Sequence, residues 1–176
     1  IFIPDYKVSL AEIIIPGADL SQQISTAGTE ASGTGNMKFA INGALTIGTY
    51  DGANIEILNA VGEDNFFLFG KTEQELTRLR QQGYDPLTYL GRCEELNEAL
   101  DSIRSGAFSP DDPSRFAPLI DSLLHEGDQF MLLADFESYF EAQGKVDRLW
   151  GDPELWTRKA ILNIARTAQF SSDRAI

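Results

Sequence analysis

The sequence predicts an α/β fold in which a short parallel sheet is followed by a helix-rich portion. In the first seventy residues, segments rich in β-branched and aromatic residues alternate with short helical segments, as in chains that build parallel sheets. From Thr72 onward, apolar residues recur at three- and four-residue steps, which is the period of an amphipathic helix. We therefore predict an α/β part at 1–70 and a helical part of the same domain at 71–176.

The first part contains strand and helix patterns bounded by turn residues. Residues 44–50 have the clearest strand pattern, because β-branched residues are followed by Asp51-Gly52. Further strands are predicted at 1–6, 23–26 and 66–69. Short helices are predicted at 10–15, directly after Gly35, and at 54–60.

Residues 71–176 are predicted to form about five helices separated by polar turns, with a loop at 109–113. Their apolar stripes consist of Leu76 and Leu79; Cys93, Leu96, Leu100 and Ile103; Phe116, Ile120, Leu123 and Leu124; Phe136, Tyr139 and Phe140; and Trp156, Ala160, Ile161 and Ile164. Stripes at this spacing indicate core residues rather than cofactor contacts.

Composition excludes several classes of function. A net charge of −13 argues against nucleic acid or an anionic membrane as a partner. A single cysteine and a single histidine exclude a disulfide framework and a zinc site of Cys/His type. No apolar run is long enough to span a bilayer, so we expect a soluble, cytoplasmic protein. Because the sequence starts without Met, we expect a fragment of a longer chain.

One segment, residues 25–38, concentrates the groups that can bind an anion. Ser32-Gly33-Thr34-Gly35 offers hydroxyls and unshielded backbone N–H groups just before a predicted helix, and such a start attracts phosphate. The spacing matches neither a P-loop nor a dinucleotide fingerprint, so another phosphate compound is indicated.

Lys38 follows Thr34 by four residues, so a helix would present both on one face. Its neighbours are apolar, and burial among them would leave a nucleophilic amine able to form a Schiff base with an aldehyde. A phosphate site beside such a lysine suits pyridoxal phosphate. The alternative is a surface lysine on a helix whose Ser/Thr/Gly start is only an N-cap.

Glu30 stands just ahead of Ser32-Gly33-Thr34-Gly35 and could bind a polyhydroxy ligand, although its position by itself favours a solvated turn residue. Residues 51–54 are predicted to turn the chain into the next helix, without a catalytic role. His125 is predicted at a helix C-terminus, and Cys93 and His125 form no nucleophile–base pair.

The segment ISTAGTEASGTGNMKFAINGALTIGTYDGANIEI closely resembles the pyridoxal-phosphate segment of the α-glucan phosphorylases, the family of glycogen, starch and maltodextrin phosphorylases. The resemblance continues through NFFLFG, GAFSPDDP, ADFESYFEAQ, WTRKAILNIA and FSSDR. The sequence is most similar to those of bacterial members of the family. The resemblance implies the later part of the C-terminal domain of a two-domain glycosyltransferase architecture, with a Rossmann-like sheet.

The resemblance also implies roles for individual residues. Lys38 would hold pyridoxal phosphate as a Schiff base and would anchor the cofactor rather than act as a base. The other implied cofactor-binding residues are Gly33, Thr34, Gly35 and Tyr6, and the implied glucose-binding residues are Glu30, Ala31, Ser32 and Gly33. No metal is implied.

The implied reaction transfers a terminal α-1,4-linked glucose from a glucan to orthophosphate, giving glucose 1-phosphate, with the cofactor phosphate as proton shuttle. We expect the fragment alone to be inactive, because the cationic residues of the phosphate-binding site belong to the remainder of the phosphorylase chain. The full-length enzyme is expected to be an allosteric homodimer. Two alternatives remain open: the C-terminal domain of a nucleotide-sugar glycosyltransferase, and a non-catalytic interaction module.

Overall fold

The computed structural model describes residues 2–175 and confirms the α/β class. Within that range the helices are α1 (Val8–Ile14), α2 (Gly35–Ile41), α3 (Asn54–Val61), α4 (Glu73–Gln81), α5 (Glu94–Arg104), α6 (Ala117–Leu124), α7 (Leu132–Trp150) and α8 (Pro153–Thr167). The strands are β1 (Leu20–Gln23), β2 (Leu45–Gly48) and β3 (Phe66–Leu68). The chain divides into two compact units, one formed by residues 2–69 with 142–175 and the other by residues 70–141.

The three strands form a parallel sheet in the order β1-β2-β3. Leu20 pairs with Leu45, and Thr46 pairs with Phe66. The chain passes from β1 to β2 through α2, and from β2 to β3 through α3. All four residues of β2 are buried, as expected for the central strand of a parallel sheet. The strand predicted within 44–50 is therefore confirmed.

Two strand predictions are wrong. Residues 2–6 form no strand, and Phe2 is 89% exposed, because an apolar sequence becomes a strand only where a partner strand receives it. Residue 1, which belongs to the same prediction, lies outside the described residues. The strand predicted at 23–26 lies at Leu20–Gln23 instead. The polar sequence of β1 gave no strand pattern, and β1 is extended because it pairs with β2.

In the first unit, α8 packs against α2 and α3. An apolar cluster formed by α2, α3 and β3 contains Ala40, Ile57, Leu58, Val61 and Phe66. Asn163 of α8 is fully buried, and its Nδ2 donates to the carbonyl oxygens of Ala40 at 2.9 Å and Ala44 at 3.0 Å. These bonds hold the C-terminal end of α2, the helix that carries Lys38.

In the second unit, α5 packs against α6. Its core cluster consists of Cys93, Leu96, Leu100, Ile120, Leu124 and Leu133, which come largely from the predicted stripes. The pKa of the Cys93 thiol is raised, mainly by burial. His125 lies at the C-cap of α6, where the sequence predicts it. The grouping of 71–176 as the helical part of one domain remains a prediction.

Candidate functional site

The candidate site is built from two loops that leave the same edge of the sheet. Residues 24–34 follow the carboxyl end of β1, and residues 49–53 follow the carboxyl end of β2. Because β1 and β2 are parallel neighbours, both loops start side by side, which is where open α/β sheets bind ligands. The Thr49 hydroxyl donates to the Ser25 carbonyl oxygen at 2.6 Å and joins the loops at their base.

Asp51 connects the two loops further out. Its side chain is buried, and the whole residue is only 5% exposed. Oδ1 accepts the backbone N–H of Gly28 at 2.9 Å, and Oδ2 accepts the backbone N–H of Glu30 at 2.9 Å. Hydrogen bonds to a charged acceptor contribute about 1.5–3 kcal/mol each, so this carboxylate strongly restricts the loop that carries Glu30.

Gly52 and Ala53 hold the same loop from a second side. The backbone N–H of Ala53 donates to the Ser32 carbonyl oxygen at 2.6 Å. Gly52 has a φ of +47°, and a Cβ at this position would lie 2.6 Å from that oxygen and 3.1 Å from the Glu30 Cγ. Only glycine allows the two backbones to approach this closely.

A buried amide pair joins the loops to α2 and α3. Asn36 Nδ2 donates to Asn54 Oδ1 at 3.0 Å, and Asn54 Nδ2 donates to the Thr49 carbonyl oxygen at 3.1 Å. The Asn36 Oδ1 accepts the backbone N–H of Met37 at 2.9 Å. Because both amides are almost fully buried, these bonds specify how α2 begins relative to the sheet.

The start of α2 leaves its polar groups open to the outside. Thr34 occupies the N-cap, but its hydroxyl makes no capping bond. Nothing lies within 4 Å of the place where a Cβ would stand on Gly35. The Lys38 backbone N–H donates to the Thr34 carbonyl oxygen at 3.2 Å, so Thr34 and Lys38 are one helical turn apart.

The expected burial of Lys38 is wrong for the described residues, because its side chain is exposed. On α2 the buried positions are Asn36 and Ala40, and Lys38 lies two residues from each. Two residues correspond to about 200° of rotation, so Lys38 points away from the core. The neighbouring apolar residues in sequence therefore do not surround it.

Lys38 instead lines an open groove of about 390 Å³ between α1 and α2. The wall opposite it comes from α1 and the turn after it, namely Val8, Ala11, Glu12, Ile15 and Pro16, and Asn42 completes the lining. The groove therefore combines a predominantly apolar surface with one ammonium and one carboxylate group. Apolar walls with a few polar groups are typical of small-molecule sites.

The remaining predicted site residues lie at the surface of this region. Glu30, Ala31 and Ser32 are exposed, and Glu30 Oε1 accepts the Ser32 backbone N–H at 3.3 Å. Gly33 has a φ of +83°, which lets the chain turn into α2. Tyr6 is 57% exposed in the segment before α1 and is not among the groove-lining residues.

The sequence reasoning missed the residues that position this loop. Residues 51–54 do turn the chain into α3, since the Asn54 N–H donates to the Asp51 carbonyl oxygen at 3.1 Å. However, the Asp51 carboxylate and the Ala53 backbone N–H also bind the neighbouring loop. An Asp-Gly pair directly after the most buried strand was the available signal, because that position lies at the ligand-binding edge of a parallel sheet.

Comparison with known proteins shows the family of this chain. A family model described as carbohydrate phosphorylase matches residues 1–176. This chain belongs to the carbohydrate phosphorylase family. Similar relatives include the muscle form of glycogen phosphorylase from Rattus norvegicus and the brain form from Mus musculus, both 53% identical, and the human muscle form, 52% identical. Each alignment covers 100% of this chain and 21% of the relative, so the chain spans about a fifth of these phosphorylases.

Among residues 2–175, no helix combines the length and the apolar character that a membrane crossing requires. The same part of the chain contains no group of three or more His, Cys, Asp or Glu side chains arranged to hold a metal ion.

Proposed function

We propose that this chain forms the cofactor- and glucose-binding part of an α-glucan phosphorylase, a pyridoxal-phosphate-dependent glycosyltransferase of glycogen metabolism. The enzyme would transfer a terminal α-1,4-linked glucose to orthophosphate and release glucose 1-phosphate. Family membership over the whole chain and 52–53% identity to glycogen phosphorylases support this proposal. The observation that carries it is the position of Lys38, which lines an apolar groove one turn after an open Thr34-Gly35 helix start.

The residues around Lys38 fit pyridoxal phosphate. Lys38 would hold the cofactor covalently, with the ring in the groove and the 5′-phosphate near Gly33, Thr34 and Gly35. The uncommitted Thr34 hydroxyl and the open space at Gly35 support that placement, because a phosphate needs donors and room at its oxygens. Tyr6 precedes the α1 wall of the groove and is proposed to complete the cofactor site. When bound, the cofactor supplies a phosphate group that exchanges a proton with the substrate phosphate.

The loop from Glu30 to Gly33 is proposed to bind the glucosyl unit. Glu30 offers a carboxylate, Ser32 offers a hydroxyl, and both are exposed. A sugar hydroxyl can donate to the carboxylate and accept from a backbone N–H, so one short loop can satisfy several hydroxyls. Ala31 has a small side chain and Gly33 has none, so both leave space for the ring.

The cationic groups that two neighbouring phosphates require must come from elsewhere in the polypeptide. This chain has a net charge of −13, and Lys7 and Lys38 are the only lysines before Lys71. We therefore propose that the 176 residues do not turn over by themselves. The partners of the complete enzyme would be an α-1,4-glucan, orthophosphate, the remainder of the polypeptide and a second copy of it, in the cytoplasm. The likeness to bacterial members remains a prediction.

The family match favours this function over the two alternatives. A nucleotide-sugar glycosyltransferase needs no covalently bound aldehyde, and an interaction module needs no ligand at Lys38. Labelling of Lys38 therefore separates the proposed function from both alternatives.

The test is borohydride reduction of the complete polypeptide after incubation with pyridoxal phosphate, followed by peptide mass spectrometry. We expect a phosphopyridoxyl group on Lys38, lost in Lys38→Ala and kept in Lys145→Ala, which removes an exposed lysine of α7. The same preparation should release glucose 1-phosphate from maltodextrin and orthophosphate. An unlabelled Lys38 together with no phosphorolysis would contradict the proposal.

A further inference from the structure

We propose that Asp51 is the positioning residue of the glucose-binding loop: its buried carboxylate holds the backbone of Gly28 and Glu30 so that the Glu30 side chain meets the sugar in one fixed orientation. The inference rests on the proposed function, and it adds to the implied site a residue that makes no contact with cofactor or substrate. Asp51 acts through the loop and is not itself a catalytic residue.

The first observation is that both oxygens of Asp51 are committed to this loop. Oδ1 accepts from Gly28 and Oδ2 accepts from Glu30, each at 2.9 Å, and the residue is only 5% exposed. Two bonds from one rigid carboxylate fix both the distance and the rotation of the loop segment between Gly28 and Glu30. A solvent-exposed loop without such a support would sample several conformations and would lose ordering entropy when the sugar binds.

The second observation is that Asp51 does not perform the ordinary task of an aspartate before a helix. An aspartate in that position usually caps the helix by accepting its first N–H groups. The N-cap of α3 is Ala53, and no side chain caps this helix. The carboxylate therefore serves the opposite loop instead of its own helix, which a purely local structural role would not explain.

The third observation is that the loop is supported on both sides of Glu30. At Gly28 and Glu30, the backbone N–H groups donate to the Asp51 carboxylate. After Glu30, the Ser32 carbonyl oxygen accepts the Ala53 N–H at 2.6 Å. Glu30 itself is exposed, and among residues 2–175 its carboxylate accepts only the Ser32 N–H of its own loop, at a long 3.3 Å. The backbone is thus held while the functional carboxylate stays available, which is the arrangement expected of a pre-organised binding group.

The decisive experiment measures kcat/KM for glucose 1-phosphate with the complete polypeptide loaded with pyridoxal phosphate. Asp51→Asn keeps the size of the side chain, but its amide nitrogen opposes one of the two loop N–H donors. We expect kcat/KM to fall about 10- to 100-fold, since a displacement near 1 Å of a substrate-positioning group has this effect. Phosphopyridoxyl labelling of Lys38 should be unchanged. The matched control is Asp111→Asn, which makes the same charge change at an exposed position.

A double-mutant cycle shows whether Asp51 acts through Glu30. In the Glu30→Gln background, the additional loss from Asp51→Asn should shrink to less than about threefold, because the group that Asp51 positions has already been altered. Equal losses in both backgrounds would overturn the inference, as would wild-type kinetics for Asp51→Asn. Loss of the Lys38 label together with activity would also overturn it, since Asp51 would then only maintain the fold.

Two further outcomes are defined. If Asp51→Asn gives no soluble protein, Asp51→Glu replaces it, because a carboxylate displaced by one methylene group should show the same kinetic loss with the Lys38 label retained. If the wild-type polypeptide releases no glucose 1-phosphate, the proposed function fails and the inference fails with it. An active wild-type enzyme with an unaffected Asp51→Asn variant refutes the inference alone.

Discussion

Replacing Gly52 by alanine tests how tightly the two loops are held against each other. The new Cβ would stand 2.6 Å from the Ser32 carbonyl oxygen and 3.1 Å from the Glu30 Cγ. Ordinary van der Waals contact begins near 3.4 Å, so the Ser32 carbonyl must move by about 0.8 Å, and backbone on both sides must follow. The displaced segment is the one proposed to bind glucose.

The magnitude follows from two contributions. An alanine held at a φ of +47° costs about 1–2 kcal/mol relative to glycine. Stretching the bond between the Ala53 N–H and the Ser32 carbonyl removes about 1 kcal/mol more. The local free energy of opening should therefore fall by about 2–3 kcal/mol, which corresponds to a decrease of roughly 30- to 150-fold in the protection of the Ala53 amide against hydrogen exchange.

Gly83→Ala is the matched control. Gly83 also has a positive φ, +83°, but nothing lies within 4 Å of a Cβ built on it. This variant therefore has the conformational cost without the collision, and it lies outside both loops of the site. Protection of the Ala53 amide should stay at its wild-type value.

The assay is hydrogen exchange measured by mass spectrometry on the complete polypeptide, combined with kcat/KM for glucose 1-phosphate. We expect Gly52→Ala to reduce kcat/KM at least tenfold and Gly83→Ala to leave it unchanged. Wild-type protection of Ala53 in the Gly52→Ala variant would refute the reasoning, because it would mean that the loops separate without cost. Equal effects of the two variants would refute it as well.

Three other results are expected. Asn163→Asp should lower the stability of the unit that contains the sheet by at least about 3 kcal/mol, because it places a charge where two carbonyl oxygens need donors. The loss should appear as reduced protection of the α2 amides against hydrogen exchange. Asn59→Asp, at an exposed position, should not show it. Burial is the main cause of the raised pKa of Asp135, so the folded state binds this proton more tightly than the unfolded state. Ionisation at pH 7 therefore costs stability, and the neutral Asp135→Asn variant should have a higher melting temperature at that pH. The gain should vanish as the pH falls towards 3.8, because the wild-type carboxyl is then protonated as well. Cys93 should react with a thiol reagent far more slowly in the native protein than after denaturation, because burial raises the pKa of its thiol; peptide mass spectrometry would locate the label.

Where the local pattern matched the tertiary environment, prediction from the sequence succeeded. The central strand was predictable because a strand buried on both faces is rich in apolar and β-branched residues, as Leu45, Thr46 and Ile47 of β2 are. The helical stripes were predictable because the period of a helix selects which residues meet, and Leu96 and Leu100 do meet in the core of their unit. The concentration of glycine, hydroxyl and charged groups at 25–38 was likewise visible in the residues themselves.

The tertiary structure alone decided three features. The largely polar β1 became a strand because β2 supplied its backbone partners, and residues 2–6 did not because no strand in the described part of the chain pairs with them. Lys38 is exposed because the facing direction of a seven-residue helix depends on which side packs, here the side of Asn36 and Ala40.

Asp51 shows the same limit at the site itself. Twenty-one residues separate it from Glu30, and only the parallel pairing of β1 and β2 brings its carboxylate to the Glu30 N–H. The sequence alone therefore determined which chemical groups this chain carries and where strands and helices are favoured. Which groups meet was decided by strand pairing and helix packing, because a hydrogen bond depends on distances that local sequence does not contain.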